Sequence, residues 1–102
     1  MKRLTLRTLP VTRPDGSEMN LSYWVQLQTT MRSPSNPQGG ADIDEIRKSI
    51  RVLNVLDEIG QDAEVLELED SDYDYMVTKV TASKFTFADA AIVQFVDDVT
   101  GV

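Results

Sequence analysis

The chain has 102 residues, 41% of them hydrophobic, and a formal net charge of −7, which indicates one small domain with one core. It contains no cysteine and no histidine, so disulfides, thiolate chemistry, histidine-dependent catalysis and zinc sites of the usual kind are excluded. No apolar run approaches the roughly 18 residues that cross a bilayer, and MKRLTLRTLPVTRP lacks the apolar segment of a secretory signal.

The N-terminal region alternates apolar and polar side chains. KRLTLRTL, residues 2–9, predicts a half-buried strand with a charged outer face. RPDG, residues 13–16, predicts a turn because Pro14 fixes φ and Gly16 accepts a positive φ. The chain then returns through SEMNL, so we expect a β-hairpin over residues 2–21.

The segment LSYWVQLQTTMRS, residues 21–33, fits two patterns. Alternation would make it a strand with Tyr23 and Leu27 on one face, whereas helical spacing groups Trp24, Leu27 and Met31. We favour the helix, with Trp24 as a core anchor. Two residues qualify as its N-cap, Asn20 and Ser22.

SPSNPQGGA, residues 33–41, predicts a flexible loop because it has two prolines, two glycines and no large apolar side chain. Gly39 and Gly40 precede a helix and would suit a phosphate site. No phosphate-binding motif accompanies them, however, and the carboxylates of Asp42 and Asp44 would repel phosphate. We therefore favour a linker.

DIDEIRKSIRVLNVLDEIG, residues 42–60, predicts the clearest helix. Asp42 at the N-cap and Glu45 three residues later resemble a capping box, and Gly60 suits the C-terminal end. Its apolar stripe is broad enough to contact several neighbours. The stripe is centred on Ile46, Ile50, Leu53 and Leu56.

AEVLELED, residues 63–70, alternates weakly and predicts a short extended segment. The next residues, Asp70, Asp72 and Asp74, have the spacing that opens an EF-hand calcium loop. Such a loop needs glycine at its sixth position and glutamate at its twelfth, where this chain has Tyr75 and Thr81. The calcium interpretation fails at both positions.

A helix explains the same segment better. Tyr73, Met76, Val77 and Val80 follow helical spacing, and the aspartates lie in the first turn, where the helix dipole favours negative charge. Lys79 and Lys84 fall at or beyond the other end. Two residues qualify as the cap, Asp70 and Ser71.

The last segment, KFTFADAAIVQFVDDVTGV, predicts a closing helix. Thr86 is the expected N-cap, Asp89 follows three residues later, and Gly101 comes just after the end. The residues expected on its apolar side are Ala88, Ala91, Ile92, Phe95, Val96 and Val99.

These elements predict an α+β fold, in which an N-terminal β-hairpin packs against three or four α-helices in a single small domain over residues 1–102. The helical part is expected over residues 42–100. The side chains expected in the core are Trp24, Ile46, Ile50, Leu53, Leu56, Met76, Val80, Ile92, Phe95 and Val96.

Charge is distributed unevenly along the chain. Residues 1–41 contain five Lys/Arg and two Asp/Glu, whereas residues 42–102 contain five Lys/Arg and fifteen Asp/Glu. Residues 57–74 are acidic without a basic residue, which is typical of a solvated face but also of a surface that docks on a basic protein. The candidate partner-binding residues are Asp62, Glu64, Glu67, Glu69, Asp70, Asp72 and Asp74.

Two further groups are weaker candidates. The cations Lys2, Arg3, Arg7 and Arg13 could touch nucleic-acid phosphates, yet no aromatic residue interleaves with them and the net charge opposes it. Edge-strand charges that discourage aggregation explain them as well. The adjacent carboxylates at 57–58, 69–70 and 97–98 could serve acid–base chemistry only if one were desolvated, and a solvated face is the simpler interpretation.

The layout as a whole resembles small accessory proteins of tailed bacteriophages. The similarity lies in a strand, a PDG turn, a short helix ending in a Pro/Gly loop, and then DIDEIRKSIRVLNVLDEI, LELEDSDYDYMVTKV and ADAAIVQFVDDV. It implies a non-enzymatic virion or assembly component without cofactor or metal, in the host cytoplasm or in the virion. The implied partners are other particle proteins or a second copy, with neither membrane nor direct nucleic-acid binding. The alternative is an acidic inhibitor of a basic host protein.

Overall fold

A computed structural model describes residues 1–33, 40–83 and 89–101. It confirms the α+β class, with two small sheets and four helices in the described part. The predicted loop 33–41 lies largely outside the described residues. In chain order the elements are β1 (Lys2–Thr5), β2 (Thr8–Thr12), β3 (Glu18–Ser22), α1 (Tyr23–Arg32), α2 (Ile43–Ile59), β4 (Val65–Leu68), α3 (Asp70–Ala82) and α4 (Ala90–Thr100).

The hairpin is shorter than predicted, and its first strand was assigned wrongly. β2 and β3 pair antiparallel from Thr8 opposite Ser22 onward, and the amide of Gly16 closes the predicted turn on the carbonyl of Arg13 at 2.9 Å. β1 belongs to another sheet, in which it pairs antiparallel with β4. Alternation identifies a strand but not its partner, so it could not show that the chain changes sheets between β1 and β2.

Helix α1 begins where the sequence indicated, but a different aromatic residue fills the core. The Ser22 hydroxyl caps the helix by accepting the amide of Val25. Tyr23 is fully buried, whereas Trp24 is only half-buried at the edge, so the prediction of Trp24 as core anchor was wrong. The indole Nε1 of Trp24 donates to the carbonyl of Leu56 at 2.8 Å, because the N–H of a partly buried indole needs a hydrogen-bond acceptor.

Helix α2 confirms its predicted ends. The Asp42 carboxylate accepts the amide of Glu45 at 2.8 Å, and Gly60 ends the helix with a φ of 82°. Leu53 and Leu56 are buried as expected, but Ile46 and Ile50 are exposed, contrary to the prediction. The buried stripe is centred on Ser49, Val52 and Leu56, so these two isoleucines fall at its outer edge.

Helices α3 and α4 are confirmed, but their N-cap residues differ from the predicted ones. α3 starts at Asp70 itself, and Glu69 precedes it without a side-chain cap bond, so neither predicted cap residue has that role. In α4 the cap is Asp89, which accepts the amide of Ala91. The predicted cap Thr86, with Ala88 and Lys84, lies outside the described residues. Val96 is only half-buried.

One core joins both sheets and all four helices of the described part. Tyr23 and Phe95 meet edge to face at its centre, with ring centroids 5.0 Å apart. Met76, Val80 and Ile92 are buried as predicted. Within the described residues, no helix has the length and apolar character needed to span a membrane.

Candidate functional site

The seven predicted partner-binding carboxylates divide into two groups. Four of them form ion pairs with cations of the same chain. These are Asp70 with the N-terminal ammonium at 3.1 Å, Lys2 with Asp74 at 2.7 Å, Arg3 with Glu67 at 3.5 Å and Arg51 with Asp72 at 3.0 Å. The other three, Asp62, Glu64 and Glu69, are exposed and have no ion pair among the residues that the structure describes.

The strand register explains three of these four pairs, since Arg51 and Asp72 lie in α2 and α3. Arg3 in β1 lies directly opposite Glu67 in β4, so the basic N-terminal strand runs beside the acidic segment. The hydrogen bond from Lys2 to Asp74 raises the pKa of that ammonium. Lys2 and Arg3 of the predicted basic surface therefore neutralise part of the predicted acidic surface.

The remaining cations of the basic group are also engaged. Arg7 lies 3.6 Å from Asp98, and the Nε of Arg13 donates to the sulfur of Met19.

Asp98, one of the adjacent carboxylates considered for acid–base chemistry, is a structural link. The hydroxyl of Tyr23 donates to it at 2.6 Å, and Arg7 approaches it from the turn after β1. Burial and this hydrogen bond raise the pKa of Tyr23 well above its ordinary value. Within the described residues, no cluster of three or more carboxylates could hold a metal ion.

Sequence analysis missed the most distinctive surface, an apolar face on α2. Ile43, Ile46 and Ile50 are 62%, 44% and 46% exposed, and their spacing places them on one side of the helix. We call these three residues the isoleucine face. The sequence signal for the isoleucine face is the width of the apolar band on α2, which is broader than a single buried stripe.

An open groove of about 460 Å³ runs along the isoleucine face, between α2 and the end of α1. Met31, Ile46, Ile50 and Leu53 supply its apolar wall. The arrangement offers apolar surface to another molecule, with no reactive group presented to solvent by this wall.

The polar side of the groove is occupied by internal bonds. The buried ammonium of Lys79 lies 3.0 Å from Glu45 and donates to the carbonyl of Ser33. The hydroxyls of Ser49 and Tyr75 are 2.7 Å apart, and Tyr75 also donates to the backbone carbonyl of Glu45. These groups stabilise the junction of α1, α2 and α3.

Comparison of the chain with protein-family models, curated proteins and solved structures found no match. The features that bear on function are therefore the isoleucine face and the three carboxylates that have no ion pair in the described part of the chain.

Proposed function

We propose that the chain is a non-enzymatic protein-interaction component and that the isoleucine face is its contact surface. The observation that carries this proposal is the exposure of three isoleucines on one side of α2. Large apolar side chains grouped on a surface are typical of interaction sites. Covering them with another protein contributes roughly 25 cal/mol for each Å² of apolar area removed from water.

The layout that resembles small accessory proteins of tailed phages supports a narrower form of the proposal. In that form the chain is a structural or assembly component of the particle and needs neither cofactor nor metal. Its partners are other particle proteins or further copies of itself, in the host cytoplasm or in the virion. Direct contact with nucleic acid or membrane is not part of the proposal.

Particle composition tests this proposal. Gradient-purified particles from the natural producing cells should contain the chain in a fixed copy number for each particle. Replacing Ile50 with Asp should remove it from the particles, because a buried charge opposes the apolar contact. Replacing Val93, which is 61% exposed on α4, with Asp should leave the copy number unchanged. Particles that lack the wild-type chain would contradict the proposal.

The acidic inhibitor remains a second candidate because one observation favours it. Asp62, Glu64 and Glu69 are exposed and lack ion pairs within the described part of the chain. Carboxylates of this kind attract a basic protein surface, including that of a DNA-binding protein.

The two groups of carboxylates provide a matched test of this alternative. Changing Asp62, Glu64 and Glu69, which have no ion pair with any described residue, to Asn or Gln should abolish salt-sensitive capture of a basic host protein. The same change at the internally paired Glu67, Asp70 and Asp74 should have a smaller effect. Capture that is indifferent to both sets would exclude the acidic surface as the contact.

A further inference from the structure

We propose that the isoleucine face binds a second copy of this chain, with the two α2 helices packed antiparallel about Ile50. This inference rests on the proposed function, because it names the partner of the same surface. Its basis is the distribution of charge along the exposed side of α2.

The charges beside the isoleucine face are self-complementary. Arg47 and Glu58 lie on the same flank of α2, about three turns apart. Both are exposed, and neither forms an ion pair with any residue that the structure describes. The other cations of the helix are already used, since Lys48 pairs with Asp44 and Arg51 with Asp72.

Antiparallel packing about Ile50 brings these opposite charges together. A two-fold axis at Ile50 places the flank that carries Arg47 and Glu58 on the same side of the contact in both copies. Arg47 of one copy therefore approaches Glu58 of the other, and symmetry makes this contact occur twice. Helical side chains lean toward their own N-terminus, which turns the two groups toward each other. In a parallel pair the two copies of this flank would lie on opposite sides of the interface, so Arg47 would not meet Glu58 and the charges would contribute nothing to the contact.

The size of the surface indicates a reversible dimer. A standard interface covers roughly 800 Å² on each partner, and three isoleucines with the apolar wall of the groove form a smaller contact. We therefore expect a concentration-dependent equilibrium between monomer and dimer.

Sedimentation equilibrium of the full chain tests the inference. The wild type and the Val93→Asp control should form dimers as concentration rises, whereas Ile50→Asp should stay monomeric. Arg47→Glu should weaken association by roughly tenfold, because two symmetric charge pairs become repulsive. The double variant Arg47→Glu/Glu58→Arg should restore it. A wild-type chain that is monomeric throughout, or a double variant no better than the single one, would overturn the inference.

Cross-linking tests the direction of packing, since the chain has no native cysteine. A short bis-maleimide reagent should join two copies of Ile50→Cys but not two copies of Ile43→Cys. In the antiparallel pair the two positions 43 lie about 21 Å apart along the helices. Efficient cross-linking at position 43 would overturn the antiparallel arrangement.

The remaining outcomes separate this inference from the proposed function. A monomer that enters particles only when Ile50 is intact would show that another protein covers the face, which overturns the dimer and supports the interaction role. Unfolding of Ile50→Asp at a much lower temperature than the wild type, at a concentration low enough for both to be monomeric, would show that the face packs within the chain, which overturns the dimer. A dimer absent from particles would support the dimer and contradict the phage role.

Discussion

Tyr23 shows how one residue links distant parts of the chain. Its ring packs on Phe95, its hydroxyl donates to Asp98, and its amide donates to the carbonyl of Arg7 at 3.0 Å. The start of α1 is thereby fixed to α4 and to the turn between the two sheets. Sequence patterns selected the neighbouring Trp24 because size and helical spacing cannot show which of two adjacent aromatic residues faces the core.

Replacing Tyr23 with Phe should change the dependence of stability on pH. Because folding raises the pKa of Tyr23 above its ordinary value of 10.0, its contribution to stability is complete below about pH 10 and is lost as pH rises further. The variant should lose about 1.5–3 kcal/mol at neutral pH, the contribution of one hydrogen bond to a carboxylate, and should show a shallower alkaline decline. Burial also raises the pKa of Tyr73, so Tyr73 would account for the decline in stability with pH that remains in the variant.

Urea unfolding of both proteins between about pH 7 and 11 measures this difference. Equal alkaline slopes for the wild type and the variant would contradict the assignment to Tyr23.

The buried Lys79 provides a second prediction about one residue. Its side chain is 4% exposed beside Glu45, so replacing it with Met should destabilise the protein by about 1–3 kcal/mol through the lost charged hydrogen bonds. The same replacement by Met at the more exposed Lys48, which pairs with Asp44 within α2, should change stability by less than about 0.5 kcal/mol. Thermal unfolding at neutral pH compares the two, and equal effects would mean that packing by methionine compensates for the lost ion pair.

Individual helices were more predictable than strand pairing. The limits of α2 follow from Asp42, Glu45 and Gly60, which act on backbone groups within a few residues. The partner of β1 lies more than half the chain away in β4, and no local signal encodes that distance. The burial of the α2 stripe was predicted only in part, because Ile46 and Ile50 fit helical spacing as well as Leu53 does.

Alternation along β4 provides a prediction about one strand. Leu66 is fully buried and Val65 is 41% exposed, since successive side chains point to opposite faces. Leu66→Ala should therefore destabilise the fold by about 2–5 kcal/mol, whereas Val65→Ala should cost less than about 1 kcal/mol. Chemical denaturation measures both, and a larger loss at Val65 would indicate a register shifted by one residue.

For the molecule as a whole, the net charge of −7 does not show how many of the charges form ion pairs within the chain. The sequence presents residues 57–74 as acidic without a counter-charge, but Lys2, Arg3 and Arg51 reach that segment in the fold. What remains for an outside partner is a smaller set of carboxylates and the isoleucine face. A candidate site could be predicted from runs of charge, but its neutralisation could not, because that depends on long-range pairing.

The central claim is that the chain acts through apolar contact at the isoleucine face. The most direct measurement is capture of partners by the tagged chain from its natural producing cells at low and high salt, read by mass spectrometry, with Ile50→Asp and Val93→Asp in parallel. We expect particle proteins, or untagged copies of the chain, to be retained at high salt by the wild type and by Val93→Asp but not by Ile50→Asp. A basic protein that is released by salt and captured equally by all three would contradict the claim and favour the acidic surface.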